Sequence, residues 1–313
     1  MGEYPKNQGE FEIRLATERA CRDYLEGIRW PEGFRCPACS HASAWRMGRE
    51  MFSCRKCGRQ TSLTAGTVFE GTRKPLSLWF RAMWHVVGQK NGVSALGLQR
   101  VLGLKRYETT WLWLHKLRRA MVRPGRDRLV GAVEVDETYV GGHRKGKVGR
   151  GAEGKVLVLI MAENQSGQLG RIRLRRIADA SAKSLLSAIQ TDIEPGTTIC
   201  TDGWEGYGNL SKGDYDHVIV SATSEIAEET LSMPHLVASH LKRWLMGTHH
   251  AAVKASHIDY YLDEFTFRFN RRTAKSRGLL FYRLLQQAVS IQASTNRQIH
   301  GVKARKPQHV GGT

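Results

Sequence analysis

Two aspartates occupy positions in this sequence where a carboxylate is unusual. Asp136 lies in the strand-like run AVEVDETYVGG, among apolar residues, and Asp202 lies in ICTDGWEGY, where a second strand-like run gives way to a glycine turn. A carboxylate among apolar strand residues loses hydration, so it normally persists only when it is paired or binds a cation. If the two strands are neighbours, the aspartates face each other and predict a metal site. Pairing of Asp136 with an arginine is the alternative.

Such a metal site would carry out phosphoryl transfer. Mg²⁺ and Mn²⁺ prefer carboxylate oxygens, and two such ions stabilise both the attacking and the leaving oxygen of an in-line displacement at phosphorus. Two further acids flank Asp136. Strand alternation places Glu134 on the same face as Asp136 and Glu137 on the opposite face. Glu134 is therefore the reserve ligand.

Four of the six cysteines form two CxxC pairs, CPAC and CRKC. Each pair places two thiolates on one tight turn, and two such turns complete a closed tetrahedral Zn²⁺ site, so we predict structural zinc. Two disulfides are the alternative, which a reducing intracellular compartment disfavours. The predicted zinc ligands are Cys36, Cys39, Cys54 and Cys57. Between the pairs, Trp45 and Phe52 are expected to form the small core of the ribbon.

The charge balance indicates a polyanionic partner. Lys and Arg number 48 against 29 Asp and Glu, a formal charge of +19. That surplus is costly self-repulsion unless nucleic acid neutralises it, although solubility alone also favours some net charge. No stretch approaches the roughly 20 apolar residues of a membrane span, and residues 1–10 lack the pattern of a signal peptide. We expect a soluble, cytoplasmic protein that binds nucleic acid and has no membrane partner.

The first part of the chain is predicted to be a helix over residues 11–29, a zinc ribbon over about 34–60, and further helices from 76 to about 121. The helical segment from 76 to 121 is interrupted at Asn91-Gly92 and at Gly103. Helix, short glycine-containing turn and helix is the outline of a helix-turn-helix that reads DNA. A plain helical hairpin with a basic outer face fits the pattern as well.

After Pro124 and Gly125 the periodicity changes from that of helices to that of strands. Residues 164–167 (NQSG) predict a hairpin turn. The expected elements are strands over 129–140, 155–162 and 169–177, a helix over 181–190, strands over 197–202 and 217–221, and a helix from 225. This order is that of the ribonuclease-H-like fold, although other α/β arrangements share it.

The whole chain resembles the insertion-sequence transposases of the zinc-ribbon DDE group. The resemblance is carried, in the family's order, by RWPEGFRCPACS, CRKCGRQTSLTAGTVFEGTRKPLSLWF, VEVDETYVGG, TDGWEGY, KRWLMGTHH and YLDEFTFRFNRR. It implies a ribonuclease-H-like core, Asp136 and Asp202 as the first two acidic residues, and metal-dependent cleavage and joining of transposon ends.

The third catalytic position departs from the common pattern of that family. Many relatives carry Glu and others Asn on the helix after the fifth strand. Counted from His235 into PHLVASHLKRW, the matching residue is His240, and Lys242 matches the basic residue of the Asn-bearing relatives. Imidazole suits Mn²⁺ or Zn²⁺ better than Mg²⁺, so His240 is expected to position water or phosphate. If His240 is only a surface residue, Glu228, Glu229 and His235 are the nearest alternatives.

Basic residues near these motifs are candidates for DNA contact. Lys242 and Arg243 would contact phosphate near the cut. The arginines after residue 267 alternate with phenylalanines that a helix would bury. A glycine-rich basic loop at 143–150 would close on DNA beside Asp136. The predicted DNA contacts are Arg118, Arg119, Arg144, Lys145, Lys242, Arg243, Arg271 and Arg272.

The expected architecture is an α/β ribonuclease-H-like core preceded by a small zinc ribbon and a helix-turn-helix-like region. The boundaries are 1–66 for the N-terminal helix and ribbon, 67–125 for the helical region, 126–285 for the catalytic domain and 286–313 for a disordered basic tail. The expected protein is a DNA transposase that uses Mg²⁺ or Mn²⁺ and works as a dimer or larger assembly on terminal inverted repeats and target DNA. A catalytically impaired DNA-binding relative, or a nuclease of the same fold, is the alternative.

Overall fold

The computed structural model describes residues 3–123, 125–141, 155–220, 231–249, 253–292 and 294–300. The chain divides into two compact units. The ribbon unit comprises Met1–Gln89, Ala95–Ala120 and Lys275–Thr313, and the sheet unit comprises Lys90–Ser94 and Met121–Ala274.

The α-helices of the described residues are α1 (Gln8–Arg14), α2 (Glu18–Arg29), α3 (Leu76–Gly88), α4 (Ala95–Leu102), α5 (Tyr107–Ala120), α6 (Ala182–Asp192), α7 (Ser232–His249), α8 (Ile258–Phe269), α9 (Arg277–Ser290) and α10 (Asn296–Ile299). The strands are β1 (Ala44–Met47), β2 (Met51–Cys54), β3 (Gln60–Ser62), β4 (Ala132–Val140), β5 (Val156–Gln165), β6 (Gln168–Ile177), β7 (Thr198–Thr201) and β8 (Asp216–Ile219).

The ribbon unit begins with two short helices where the sequence predicted one. The side chain of Thr17 accepts a hydrogen bond from the backbone N–H of Ala20 and starts α2. This N-cap satisfies an N–H that has no partner within the helix, so the chain breaks between α1 and α2. The expectation of one continuous helix over residues 11–29 is therefore wrong.

The ribbon itself is a three-stranded antiparallel sheet in the order β1-β2-β3. Its core is formed by Phe52 with Trp30 and Phe34, whose rings lie 4.8 and 5.6 Å from that of Phe52. Trp45 was expected in this core, but it is 62% exposed. The two residues that follow it in β1 are exposed as well. The guanidinium of Arg55 lies 3.9 Å from the centroid of the Trp45 ring.

The helices of the ribbon unit pack through aromatic rings. Trp79 of α3 stacks on Trp113 of α5 at 3.9 Å, and Phe281 of α9 contacts Phe80 and Trp84 of α3. Phe281 is fully buried. The C-terminal segment was expected to be a disordered tail from residue 286, which is wrong up to residue 300. The apolar face of α9 continues through Leu284, Leu285 and Ala288, and α10 follows it.

The sheet unit contains a five-stranded sheet in the order β6-β5-β4-β7-β8. Strand β5 pairs antiparallel with β4 and with β6, β7 pairs parallel with β4, and β8 pairs parallel with β7. The hairpin turn between β5 and β6 is confirmed, since Ser166 and Gly167 have φ of 54° and 83°. Two such left-handed residues match the twist of the flanking strands.

Both faces of the sheet are covered. One core cluster joins Val133 and Val135 of β4 to Leu185 and Ile189 of α6. The opposite cluster joins alternate residues of the same sheet, such as Ile160, to α7 and α8. A mixed sheet in this order with helices on both faces is the ribonuclease-H-like fold, and the predicted α/β class is confirmed. The helix expected from residue 225 begins at Ser232, and residues 221–230 lie outside the described part.

Candidate active site

Asp136 lies on β4, and Asp202 directly follows the end of the neighbouring strand β7. The parallel register of β4 and β7 pairs Glu134 with Cys200, and Asp136 and Asp202 each follow this pair by two residues. Burial raises the pKa of Asp136 above its ordinary range, and the negative charge of Asp202 raises it further, whereas His235 lowers it. The condition that the sequence analysis set for a shared metal site, that the two strands are neighbours, is therefore met.

The third residue at this site is His235. Its Nε2 atom lies 3.3 Å from Oδ2 of Asp136. His235 stands in the first turn of α7, and its side chain is 72% exposed against 21% for Asp136. An imidazole in this position contacts the carboxylate while one side of its ring stays open to a substrate.

His240 was predicted for that role, and the structure places it elsewhere. Its ring is half-buried with its centroid 6.4 Å from that of Phe269 in α8. Side chains five residues apart on an α-helix point about 140° apart around its axis. His235 and His240 therefore lie on nearly opposite sides of α7. Lys242 is seven residues after His235, nearly two full turns, and shares its side of the helix. That spacing is the sequence signal that would have selected His235.

The two glutamates beside Asp136 make contacts on opposite faces of β4, as alternation predicted. Glu134 is 1% exposed and accepts hydrogen bonds from Nδ2 of Asn164 at 3.0 Å and from the backbone N–H of Met233 at 3.2 Å. Glu137 accepts a hydrogen bond from the hydroxyl of Tyr207 at 2.7 Å.

The four predicted zinc ligands are brought together. Their Sγ atoms all lie within 4.8 Å of one another, with Cys36 to Cys57 and Cys39 to Cys54 at 3.6 Å. A tetrahedral ion with zinc–sulfur bonds of about 2.3 Å needs sulfur–sulfur separations of about 3.8 Å, so the cluster fits Zn²⁺. Among the described residues no other group of three or more potential ligand atoms is gathered as closely. The cysteines are free rather than disulfide-bonded.

The local sequence builds the two metal-binding turns in the same way. The backbone N–H of Ser40 donates to the carbonyl of Cys36, and that of Gly58 donates to the carbonyl of Cys54. Both turns end in the left-handed region, with φ of 58° at Ser40 and 70° at Gly58. The backbone N–H of Cys57 lowers the pKa of the Cys54 thiol, which favours the thiolate form that binds metal.

Lys242 lies at a cavity of about 280 Å³ beside the end of β4. Tyr139 and Lys155 line the same cavity, and its walls include Leu245 and Val156. Lys155 was not singled out from the sequence, because nothing in its local pattern distinguishes it from other lysines. The neighbouring Arg243 is exposed.

The other predicted DNA contacts divide into exposed and engaged side chains. Arg118 is 2% exposed, so it has no surface to offer to DNA, whereas the next residue, Arg119, is exposed. Arg118 lies four residues after Leu114 on the buried side of α5. Lys105 and Arg106, just before the first turn of α5, are also exposed, although the sequence analysis did not single them out. Arg144 and Lys145 lie outside the described residues.

The motif FNRR has a structural role in the sheet unit. The side chain of Asn270 accepts a hydrogen bond from the backbone N–H of Ile172 at 2.8 Å and donates one to its carbonyl at 3.1 Å. Asn270 thus pairs with the free edge of β6 as a neighbouring strand would. Arg272 donates to the carbonyls of Leu169 and Gly170, and Arg271 lies over the Phe267 ring at 4.2 Å.

The fold and the two clusters together define a ribonuclease-H-like protein with two aspartates at its central strands and a four-cysteine ribbon in a separate unit. Residues 128–270 match the ISXO2-like transposase domain, and residues 16–60 match the transposase zinc-ribbon domain. The chain belongs to the insertion-sequence transposases that carry an N-terminal zinc ribbon.

The chain is also similar to individual proteins at low sequence identity. The chain is 27% identical over 277 residues to the "Uncharacterized protein in transposable element ISH50" of Halobacterium salinarum, a match that covers 81% of this chain and 91% of that protein. A solved structure of a simian T-cell lymphotropic virus intasome, in complex with PP2A regulatory subunit B56 gamma, aligns at 12% identity and a TM-score of 0.31. That alignment covers 52% of this chain and 63% of the other. No helix in the described part of the chain has both the length and the apolar character to cross a membrane.

Proposed function

We propose that this protein cuts the ends of its insertion sequence and joins them to target DNA. The observation that carries the proposal is the contact of His235 with Asp136 on β4, beside the strand β7 that Asp202 follows directly. Family membership supports a reaction on DNA, and the net charge of +19 supports a polyanionic substrate. A DNA substrate implies action at the bacterial nucleoid.

The donor set fits a divalent cation. Two carboxylates suit Mg²⁺ and Mn²⁺, and an imidazole favours Mn²⁺ of the two. When bound, such an ion would activate the attacking oxygen and stabilise charge on the phosphate. Asp136 and Asp202 are the residues that would hold it. His235 either completes the ligand set or orients the attacking water from the open side of its ring.

The reaction has two displacements at phosphorus. In the first, the oxygen of water attacks the phosphate at the element end, the bond from phosphorus to the 3′ oxygen breaks, and that oxygen takes up a proton to become a 3′ hydroxyl. In the second, this hydroxyl attacks a phosphate of the target and displaces the target's own 3′ oxygen. Asp136 and Asp202 serve both steps, because the bonds made and broken are of the same kind.

Several remaining cations are proposed to bind the DNA backbone. Lys242, which is exposed, and Lys155, which is half-buried, line one cavity beside the end of β4, and we propose that they contact phosphate near the cut. The ribbon and the start of α5 are proposed to bind the terminal repeats, since recognition helices contact bases through their N-terminal residues. Joining two ends requires that both be held together, so a dimer or larger assembly is proposed.

The test incubates purified protein with labelled DNA carrying the element's own ends and a supercoiled target, in Mg²⁺ and separately in Mn²⁺. End cleavage and joined products from wild-type protein, both abolished by Asp136→Asn, are the expected result. Cleavage without joined products would favour a nuclease of the same fold. Tight end binding with no cleavage in either metal would make this a DNA-binding relative, for which the histidine at position 235 is the structural reason.

A further inference from the structure

Glu134 connects the central strand to the helix that carries His235. Its Oε2 accepts the backbone N–H of Met233, in the first turn of α7, and Met233 precedes His235 by two residues. N–H groups in a first turn have no partner within the helix, and a carboxylate there also complements the helix dipole. The bond from Met233 to Glu134 and the contact of His235 with Asp136 therefore both connect α7 to β4. The two connections are two residues apart on the strand and two residues apart on the helix.

Glu134 is not placed as a metal ligand. Both of its oxygens accept protein donors, one from Asn164 and one from Met233, and the residue is 1% exposed. Asp136, by comparison, retains 21% of its side-chain exposure. Glu134 therefore faces the underside of α7, while Asp136 faces the open site.

Glu137 makes the corresponding connection on the opposite face of β4. Its Oε2 accepts the hydroxyl of Tyr207, which is 1% exposed and lies five residues after Asp202. The turn between them is itself fixed, because the backbone N–H of Trp204 donates to Oδ1 of Asp202 and its indole N–H donates to the carbonyl of Ala180. The bond from Tyr207 therefore holds the turn that carries Asp202 against the strand that carries Asp136.

We propose that the two glutamates flanking Asp136 are positioning residues: Glu134 holds α7 so that His235 reaches Asp136, and Glu137, through Tyr207, holds Asp202 beside Asp136. One short stretch of β4 thus supplies the first acid and the supports for the other two members of the site. The inference rests on the proposed function, because the positions concerned are those of its metal-binding groups.

The experiment on the first arm compares Glu134→Gln with Glu134→Ala. Glutamine keeps an oxygen for the Met233 N–H but removes the negative charge, so a positioning role predicts Mn²⁺ affinity and cleavage rate within about tenfold of wild type. Alanine removes the acceptor and is expected to weaken both by more than about tenfold. Loss of activity in the glutamine variant equal to that in Asp136→Asn would overturn the proposal and make Glu134 a metal ligand.

A double-mutant cycle separates positioning from general loss of structure. If Glu134 acts through His235, Glu134→Ala costs much less in a His235→Ala background than in wild type, because interacting residues are not additive. An undiminished cost in that background would overturn this arm.

The experiment on the second arm uses Tyr207→Phe, which deletes one hydroxyl. The expected result is a rise of about tenfold in the Mn²⁺ concentration needed for half-maximal binding, with unchanged DNA affinity. Tyr215→Phe is the matched control, because Tyr215 lies in the same core cluster and its hydroxyl donates only to the carbonyl of Ile193 among the contacts described for it. Equal effects of the two substitutions would overturn this arm.

Mn²⁺ binding is measured by electron paramagnetic resonance of the free ion, which does not depend on catalysis, beside the cleavage assay. Wild-type protein that binds Mn²⁺ and cuts DNA, with unaffected Glu134→Ala and Tyr207→Phe variants, would refute the positioning roles alone. Wild-type protein that neither binds Mn²⁺ nor cuts would refute the proposed function and the positioning roles with it.

Discussion

His235 and Asp136 are joined across two elements that are far apart in the sequence, with Nε2 of the imidazole 3.3 Å from Oδ2 of the carboxylate. The contact places a residue from the first turn of α7 at the centre of β4. Since Lys242 follows His235 by almost two helical turns, the same side of α7 carries both the imidazole and a cation that lines the cavity beyond Asp136. This side of the helix is therefore the one that faces the proposed DNA substrate.

Replacement of His235 is expected to reduce end cleavage far more than replacement of His240. His235→Ala removes a group in contact with Asp136, and losses of about 10²-fold or more are typical when a group that acts in proton transfer or metal binding is deleted. His240→Ala, on the flank of α7 that faces Phe269, is expected to leave the rate within about threefold. Single-turnover cleavage rates of the two variants measure the difference, and the reverse order would restore His240 as the third site residue.

The ribbon is expected to bind one zinc ion for each chain. Cys54→Ser should abolish zinc binding and unfold the ribbon, because the binding free energy of a structural site is part of the folding free energy. Cys200→Ala is the matched control, since Cys200 lies on β7 of the sheet unit, outside the cysteine cluster. Zinc content by atomic absorption, with circular dichroism, checks both variants. Full zinc content in the Cys54 variant would exclude the four-cysteine site.

Much of the fold follows from local patterns in the sequence, and the site follows from it only in part. The order of strands and helices along the chain was predictable because the periodicity changes from element to element, and Asp136 stood out because a charge interrupted an apolar strand. The position of His235 required the rotation of α7 relative to β4, which packing of Val237 and Leu241 into the sheet determines. Arg118 was misjudged because charge predicts exposure, whereas it lies on the side of α5 that also buries Thr110 and Leu114. Asn270 was missed because its partner is a backbone edge that no side-chain pattern reveals.

Asn270→Ala is expected to destabilise the sheet unit. The substitution removes both hydrogen bonds to the Ile172 backbone, and at about 1 kcal/mol for each bond the free energy of unfolding should fall by roughly 2 kcal/mol. Thr273→Ala, an exposed position in the turn after α8, serves as the control. Urea denaturation followed by circular dichroism gives both values. A loss of unfolding free energy no larger than that of the control would show that the stability of the sheet unit does not depend on the hydrogen bonds of Asn270 to β6.

Acid should weaken the sheet unit through Glu163. Burial opposes ionisation of this carboxyl, but hydrogen bonds from Arg171 and from the backbone N–H of Val130 prevail and lower its pKa below 4.5. A carboxyl whose folded pKa is depressed contributes stability that is present above its unfolded pKa and is lost as pH falls through its folded pKa. The melting temperature of wild type should therefore fall more steeply below pH 4.5 than that of Glu163→Gln. If the melting temperatures of the two proteins fall equally with pH over this range, Glu163 does not contribute to the acid sensitivity of the sheet unit.

The start of α5 is expected to bind DNA through Lys105 and Arg106. The buried Arg118 is not expected to contact DNA. Each phosphate contact contributes roughly 0.9 to the slope of log affinity against log salt concentration. Lys105→Ala with Arg106→Ala should therefore lower the slope by about 1 to 2 and weaken binding to end and unrelated DNA similarly if both residues contact phosphate. A larger loss for end DNA than for unrelated DNA would show that one of them contacts a base. Lys183→Ala, exposed on α6, is the control for loss of charge alone. Fluorescence anisotropy across a salt series measures the affinities and the slopes. A slope of the double variant equal to that of the control would exclude the start of α5 from the DNA interface.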